Sequence, residues 1–169
     1  MRQAALADRD ALAALKAAYV RSLYRGFVSQ DKLKTLDPTP YQSMLEIALE
    51  APGRQVIIMD EEGQPQGFVV LGADPEEAGC GMIFDVAMRP GCDLLLRDEL
   101  LAGAMERLMR QGMEQIHIWI LRDNFRVRFL FEQFGFKADG VHRTIERDGH
   151  ELQVTRYLFR APEGVYDDL

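Results

Sequence analysis

Residues 116–136, IHIWILRDNFRVRFLFEQFGF, constrain the fold more than any other stretch. Ile116, Ile118 and Ile120 alternate with His117, Trp119 and Leu121, so both faces of an extended segment are largely apolar. A strand of that kind needs cover on two sides, which predicts a central place in a sheet. Arg122-Asp123-Asn124 ends the strand, and Asp123 or Asn124 can cap the helix that follows. Phe125, Phe129, Leu130, Phe131 and Phe134 recur at helical spacing, which predicts a stripe packed into the core. Gly135 stands where a helix closes through the left-handed conformation, and Phe136 packs back as the next strand opens.

The rest of the chain supplies the partners for that strand. Residues 2–4 predict a short edge strand. Asp8 caps a helix with Leu12, Leu15, Ala18, Tyr19 and Leu23 on its inner face, and Arg25-Gly26 stops it. Residues 27–38 read as a loop with a turn near 31–36. Thr39-Pro40-Tyr41-Gln42 opens a second helix, with Thr39 as cap and Gln42 closing a capping box. Met44, Leu45, Ala48 and Leu49 form its buried face, and Ala51-Pro52-Gly53 ends it. The apolar runs 56–59 and 68–71 flank a turn at 61–65 and predict an antiparallel hairpin. Residues 81–88, GMIFDVAM, predict a further strand, and Arg89-Pro90-Gly91 ends it. A long helix over 94–111 presents Leu94, Leu101, Met105 and Leu108 on one face, with Leu100, Ala104 and Met109 beside them. Residues 141–147 and 151–159 form a last hairpin around Asp148-Gly149. The order β-α-α-β-β-β-α-β-α-β-β predicts an α+β fold, a mixed and mostly antiparallel twisted sheet flanked by helices. The two strands separated by the long helix run parallel in it.

Bulk properties narrow the function. The 169-residue length and the absence of any linker or repeat predict one domain over 1–160, followed by an acidic tail at 161–169. No apolar run approaches the ~18–20 residues that span a bilayer, and the first residues lack a signal peptide's apolar block, so the expected location is the cytoplasm. The net charge of −7 opposes nucleic-acid and anionic-membrane partners. Cys80 and Cys92 give neither a metal-ligand spacing nor a disulfide framework.

The run Asn124 to Phe136 resembles the N-x-x-A-x-x-F-Y-E-x-x-G-F signature of the GNAT superfamily, the acyl-CoA-dependent N-acyltransferases. IFDVAMRP resembles the family's fourth strand running into its proline. Tyr19, Arg25-Gly26 and Leu33 resemble a common second-helix region, and Asp148-Gly149 with Arg156-Tyr157 its final hairpin. The resemblance covers nearly the whole chain. It implies that acyl-CoA, most simply acetyl-CoA, lies where the strands at 81–88 and 115–121 part, with Ala87 and Met88 against the pantetheine. It implies further contacts to the donor at Gly91, Cys92, Arg97, Asn124 and Arg128. A neutral amine, from a small molecule or a peptide, would attack the thioester directly. That chemistry needs a proton acceptor, donors for the oxyanion and an acid for the thiolate. Asp85 would border the acceptor as a base, and His117 could act as a base through a water. Each has a plainer reading: Asp85 as a carboxylate paired with a helix, His117 as a packed, hydrogen-bonded strand histidine. Tyr24, Phe27 and Tyr41 would shape the acceptor region or simply pack. His142 and His150 read as surface residues of the last hairpin.

Two departures from the family stand out. Its pyrophosphate loop, Q/R-x-x-G-x-G/A, faces Pro90-Gly91-Cys92-Asp93-Leu94-Leu95-Leu96-Arg97-Asp98 here, with Gly91 its one glycine. Asp93 predicts a helix cap, which occupies amides a phosphate would use and repels it. Arg89 and Arg97 either compensate as phosphate ligands or lie solvated on the surface. Cys92 at the turn has no histidine near it in sequence to make it a nucleophile. Phe131 takes the place of the family's tyrosine and cannot protonate a leaving thiolate. These departures open a second reading: a GNAT-fold binding or regulatory module without CoA, with a homodimer formed through strand or helix contacts.

Overall fold

A computed structural model of the protein describes residues 1–24, 37–147 and 150–161. The expected helix stop at Arg25-Gly26, Phe27, the turn near 31–36, the Asp148-Gly149 turn and the tail after Ala161 lie outside the described residues, as do the side chains of Tyr24 and His150. The elements run β1 (Arg2–Gln3), α1 (Arg9–Tyr24), α2 (Thr39–Glu50), β2 (Arg54–Glu61), β3 (Gln64–Ala73), β4 (Cys80–Met88), α3 (Leu94–Arg110), β5 (Gln115–Leu121), α4 (Phe125–Gln133), β6 (Lys137–Arg147) and β7 (His150–Arg160). The seven strands form one sheet in the order β1-β2-β3-β4-β5-β7-β6. β1 pairs antiparallel with β2, β7 antiparallel with both β5 and β6, and β4 parallel with β5. The β2–β3 turn, at Glu62 and Gly63, has φ +50° and +76°. A connection that short can join only antiparallel strands.

Internal packing divides the chain into two compact units, residues 1–71 with 85–104 and residues 72–84 with 105–169. In the first, Leu12, Leu45, Ile58, Phe68, Leu71, Leu100 and Leu101 are buried almost completely. Asp8 closes a single 3-10 turn ahead of α1, accepting from the Ala5 amide and the Arg2 guanidinium. Hydrogen bonding to Arg2 holds the Asp8 carboxyl below the usual aspartate range. α2 begins one residue before its expected start. Thr39 is the first helical residue, Pro38 stands at the N-cap without a side-chain cap bond, and the Thr39 amide and hydroxyl donate to Asp37.

Leu94 corrects the expected buried face of α3. It is 63% exposed and Leu95 is 75% exposed, because the first turn of the helix lies beyond the part of the first unit's core that Leu100, Leu101 and Ala104 enter.

The second unit is built on Ile83, Leu108, Ile116, Phe131 and Phe136, all nearly fully buried. α4 ends as the signature's glycine requires. Gly135 sits at φ +85°. Its amide donates to Glu132 O at 3.0 Å and the Phe136 amide to Phe131 O at 3.1 Å, the paired bonds of a Schellman close. Phe131 and Phe136 meet edge to face with centroids 5.1 Å apart, supplying the apolar contact that accompanies such a close. Gly135→Ala puts a Cβ into a left-handed residue. It is expected to lower unfolding free energy by about 1–2 kcal/mol, read from urea denaturation against wild type. The phenylalanine stripe is buried only in part. Phe125 and Phe129 are exposed, and the Arg128 guanidinium covers the Phe125 ring at 4.8 Å.

Candidate functional site

In the first unit the site residues gather at the end of β4 and the start of α3. Asp85 is half-buried and ion-pairs with Lys16 of α1. Its Oδ1 accepts from Lys16 Nζ and from the Val86 amide at 2.9 Å. The helix-paired carboxylate is therefore realised at Oδ1. Oδ2 is buried and has no hydrogen-bond partner among the described residues. Lys16 was not legible as a site residue, although its position carried a signal. It falls between Leu12 and Tyr19 at helical spacing, so a charge on the inner stripe of α1 demands a carboxylate.

Ala87 and Met88 are buried. Met88 fills the space over Gly67 on β3, where a Cβ would meet its Sδ at 2.4 Å. The Arg89 amide donates to Gln66 O at 2.7 Å, extending that pairing past the strand end.

The loop after β4 has its own internal bonding. The Cys92 amide donates to Arg89 O at 3.0 Å across Pro90-Gly91, and Gly91 has φ +80°. Proline followed by a left-handed glycine is a type II turn, which accounts for Gly91 without a phosphate. Asp93 Oδ1 accepts from the Leu95 amide at 2.9 Å, the expected cap. Arg97 pairs with Asp98 at 2.6 Å, and Arg89 reaches Gln64 and Pro65, each at 3.2 Å. Cys92 is half-buried, and burial pushes its thiol up, away from a reactive thiolate.

In the second unit β4 and β5 pair in parallel at four positions, from Cys80 with Gln115 to Ile83 with Ile118. Residues 84–88 lie outside that ladder. Asn124 caps α4, its Oδ1 accepting from the Val127 amide at 3.3 Å. Arg128, besides covering Phe125, lies 3.7 Å from Glu132. Phe131, in the family's tyrosine position, is 1% exposed.

His117 is also 1% exposed, with Nε2 2.6 Å from Asp74 Oδ2. Despite that short distance, neither ring nitrogen has a hydrogen-bond partner among the described residues. The expected hydrogen-bonded strand histidine is thus only half realised: packed, but not bonded. Burial pushes the imidazole below the usual histidine range, against the opposing pull of Asp74. Beside it Arg156 bridges Glu77 at 3.0 Å and Asp139 at 2.6 Å. Sequence reasoning passed over Asp74 and Glu77 because they sit in an acidic loop that reads as solvated surface. His142 is exposed and lies 3.0 Å from the Thr155 hydroxyl, and Tyr41 is half-buried.

No helix among the described residues is long and apolar enough to cross a membrane. No curated protein sequence matches the chain. Its fold is similar to that of the PaiA N-acetyltransferase of Thermoplasma acidophilum in complex with coenzyme A (TM-score 0.68, 13% identity, covering 95% of this chain and 97% of that one). It is similar to a ribosomal-protein-alanine N-acetyltransferase from Brucella melitensis (TM-score 0.68, 20% identity, 95% and 98% covered). A probable GNAT acetyltransferase from Chromobacterium violaceum gives TM-score 0.72 at 14% identity, with 94% and 85% covered. At these identities the likeness is one of fold. The sequence pattern of the acetyltransferase (GNAT) family matches residues 19–136, well over half of the 169. That span takes in the fourth strand and the whole signature through Phe136, and the chain belongs to the GNAT acetyltransferase family.

Proposed function

We propose that the protein transfers an acetyl group from acetyl-CoA to a primary amine by direct attack on the thioester. The observation that carries this reading is the family match over residues 19–136, which takes in the fourth strand and the signature through Phe136. Within the first unit Ala87 and Met88 bury their side chains, and a pantetheine arm is held by peptide groups. The acceptor contact falls to Asp85, whose Oδ2 accepts a hydrogen bond from the incoming amine. It does not fall to His117, whose imidazole is buried against Asp74.

Family membership favours a working enzyme, while the loop favours weak donor binding. Asp93 occupies a helix amide, and Arg97 and Arg89 already have partners. Isothermal titration of acetyl-CoA into the protein is expected to give saturable heat that CoA competes away. No heat at millimolar concentration would leave the second reading, a binding module on the same fold. Asp93→Ser keeps the cap and removes its charge from the helix N-terminus. It is expected to tighten acetyl-CoA by about two- to fivefold, the equivalent of about 0.3–1 kcal/mol.

A further inference from the structure

The second unit holds a polar cluster that acetyl transfer does not use. Asp74 follows β3, Glu77 lies in the β3–β4 connection and His117 is on β5. Each offers one ligand atom, and the three atoms lie within 4.8 Å of one another. Acidic groups alone would say little. His117 adds an independent observation: an almost fully buried imidazole, its Nε2 2.6 Å from Asp74 Oδ2, with no hydrogen-bond partner at either nitrogen among the described residues. A buried polar group left so is costly and asks for a missing ligand.

Charge makes the same request. Asp74 stands against His117, and Arg156 bridges Glu77 and Asp139, so three carboxylates share the cluster with one guanidinium. The carboxylates therefore outnumber the cation by two, the deficit a divalent ion fills. An ion can accept lone pairs from Nε2 and from Asp74 Oδ2, which stand 2.6 Å apart. Glu77 can turn to the ion, since Arg156 keeps Asp139 at 2.6 Å when it leaves.

We propose that Asp74, Glu77 and His117 form a site for one divalent transition ion of the zinc class, which ties the β3–β4 connection to β5. One imidazole nitrogen with two carboxylate oxygens suits a borderline ion. Calcium and magnesium prefer oxygen alone. Three protein ligands leave a fourth position to solvent.

The test uses zinc chloride with the full chain after treatment with a chelator. Isothermal titration is expected to show one Zn2+ per chain and a raised melting temperature. Glu77→Gln and Asp74→Asn are each expected to weaken binding at least about tenfold, and His142→Ala, on an exposed histidine outside the cluster, to change nothing. Co2+ in place of zinc should give visible absorption bands that Glu77→Gln diminishes. Glu77 is exposed, so its variant folds even if Asp74→Asn does not. No binding at millimolar Zn2+ overturns the proposal, and so does undiminished binding by Glu77→Gln. Neither result bears on acetyl-CoA binding, which the separate titration measures.

Discussion

Replacing Asp85 with asparagine is expected to lower turnover of an amine acceptor at least about a hundredfold while acetyl-CoA binding stays unchanged. Asparagine matches the carboxylate in shape and keeps one oxygen to accept from Lys16 Nζ and the Val86 amide. The second oxygen, buried and without a partner, becomes an NH2 that can only donate. An incoming amine then loses its acceptor. The ion pair weakens too, so the variant is also expected to lose about 1–3 kcal/mol of stability. Both side chains are largely but not fully buried, at 13% and 20% exposed, which keeps this cost below that of a fully enclosed pair. Lys16→Met separates the two effects. It removes the same pair from the other side and leaves Asp85 Oδ2 in place, so turnover per folded molecule should fall far less. Steady-state release of CoA, corrected for folded fraction by circular dichroism, reads the difference. Equal losses in the two variants would reduce Asp85 to a structural partner of α1.

The elements and their order were legible because their signals are local. Alternating isoleucines marked β5, and the Gly135-Phe136 close marked the end of α4. The spacing across the long helix marked the parallel pairing of β4 with β5. What sequence left open depends on contacts between distant segments. Thr39 reads as a cap by residue type, yet Pro38 takes the N-cap and Thr39 donates back to Asp37. Leu94 and Phe125 belong to apolar stripes by spacing, yet a helix can run past the core it packs on. Periodicity gives the face of a helix and not the length of the surface it covers. At the site, the β4 segment and the Asp93 cap were visible as motifs. The partners that define their chemistry were not. Lys16 is 69 residues from Asp85 in sequence, and no local pattern joins them. Asp74 and His117 are joined only by the pairing of β4 with β5, which carries Met82 beside His117 and brings the preceding loop to its strand. Sequence therefore named His117 and missed what it faces.

The signature's substituted position tests whether the family's acid has moved or gone. Phe131→Ala is expected to cost about 3–5 kcal/mol, because the ring is 1% exposed and packs edge to face on Phe136 at 5.1 Å. Phe131→Tyr, the change that restores the family residue, is the sharper experiment. If the position faces the departing thiolate, the new phenol protonates it and turnover rises. Packing argues otherwise. Phe131 is one of the largest fully buried side chains and shares the core of its unit with Ile83, Leu108 and Ile116. A hydroxyl there enters an apolar site and is expected to cost about 1–3 kcal/mol with no gain in turnover. Urea denaturation and CoA release on the same preparations read both quantities. A thiolate is a fair leaving group near neutral pH, since its conjugate thiol ionises at about 8.5. On the proposed function, a chain that has exchanged this phenol for core packing would keep a route to product, with solvent supplying the proton. A tenfold rise in turnover with unchanged stability would place the ring at the reacting sulfur and reverse that assignment.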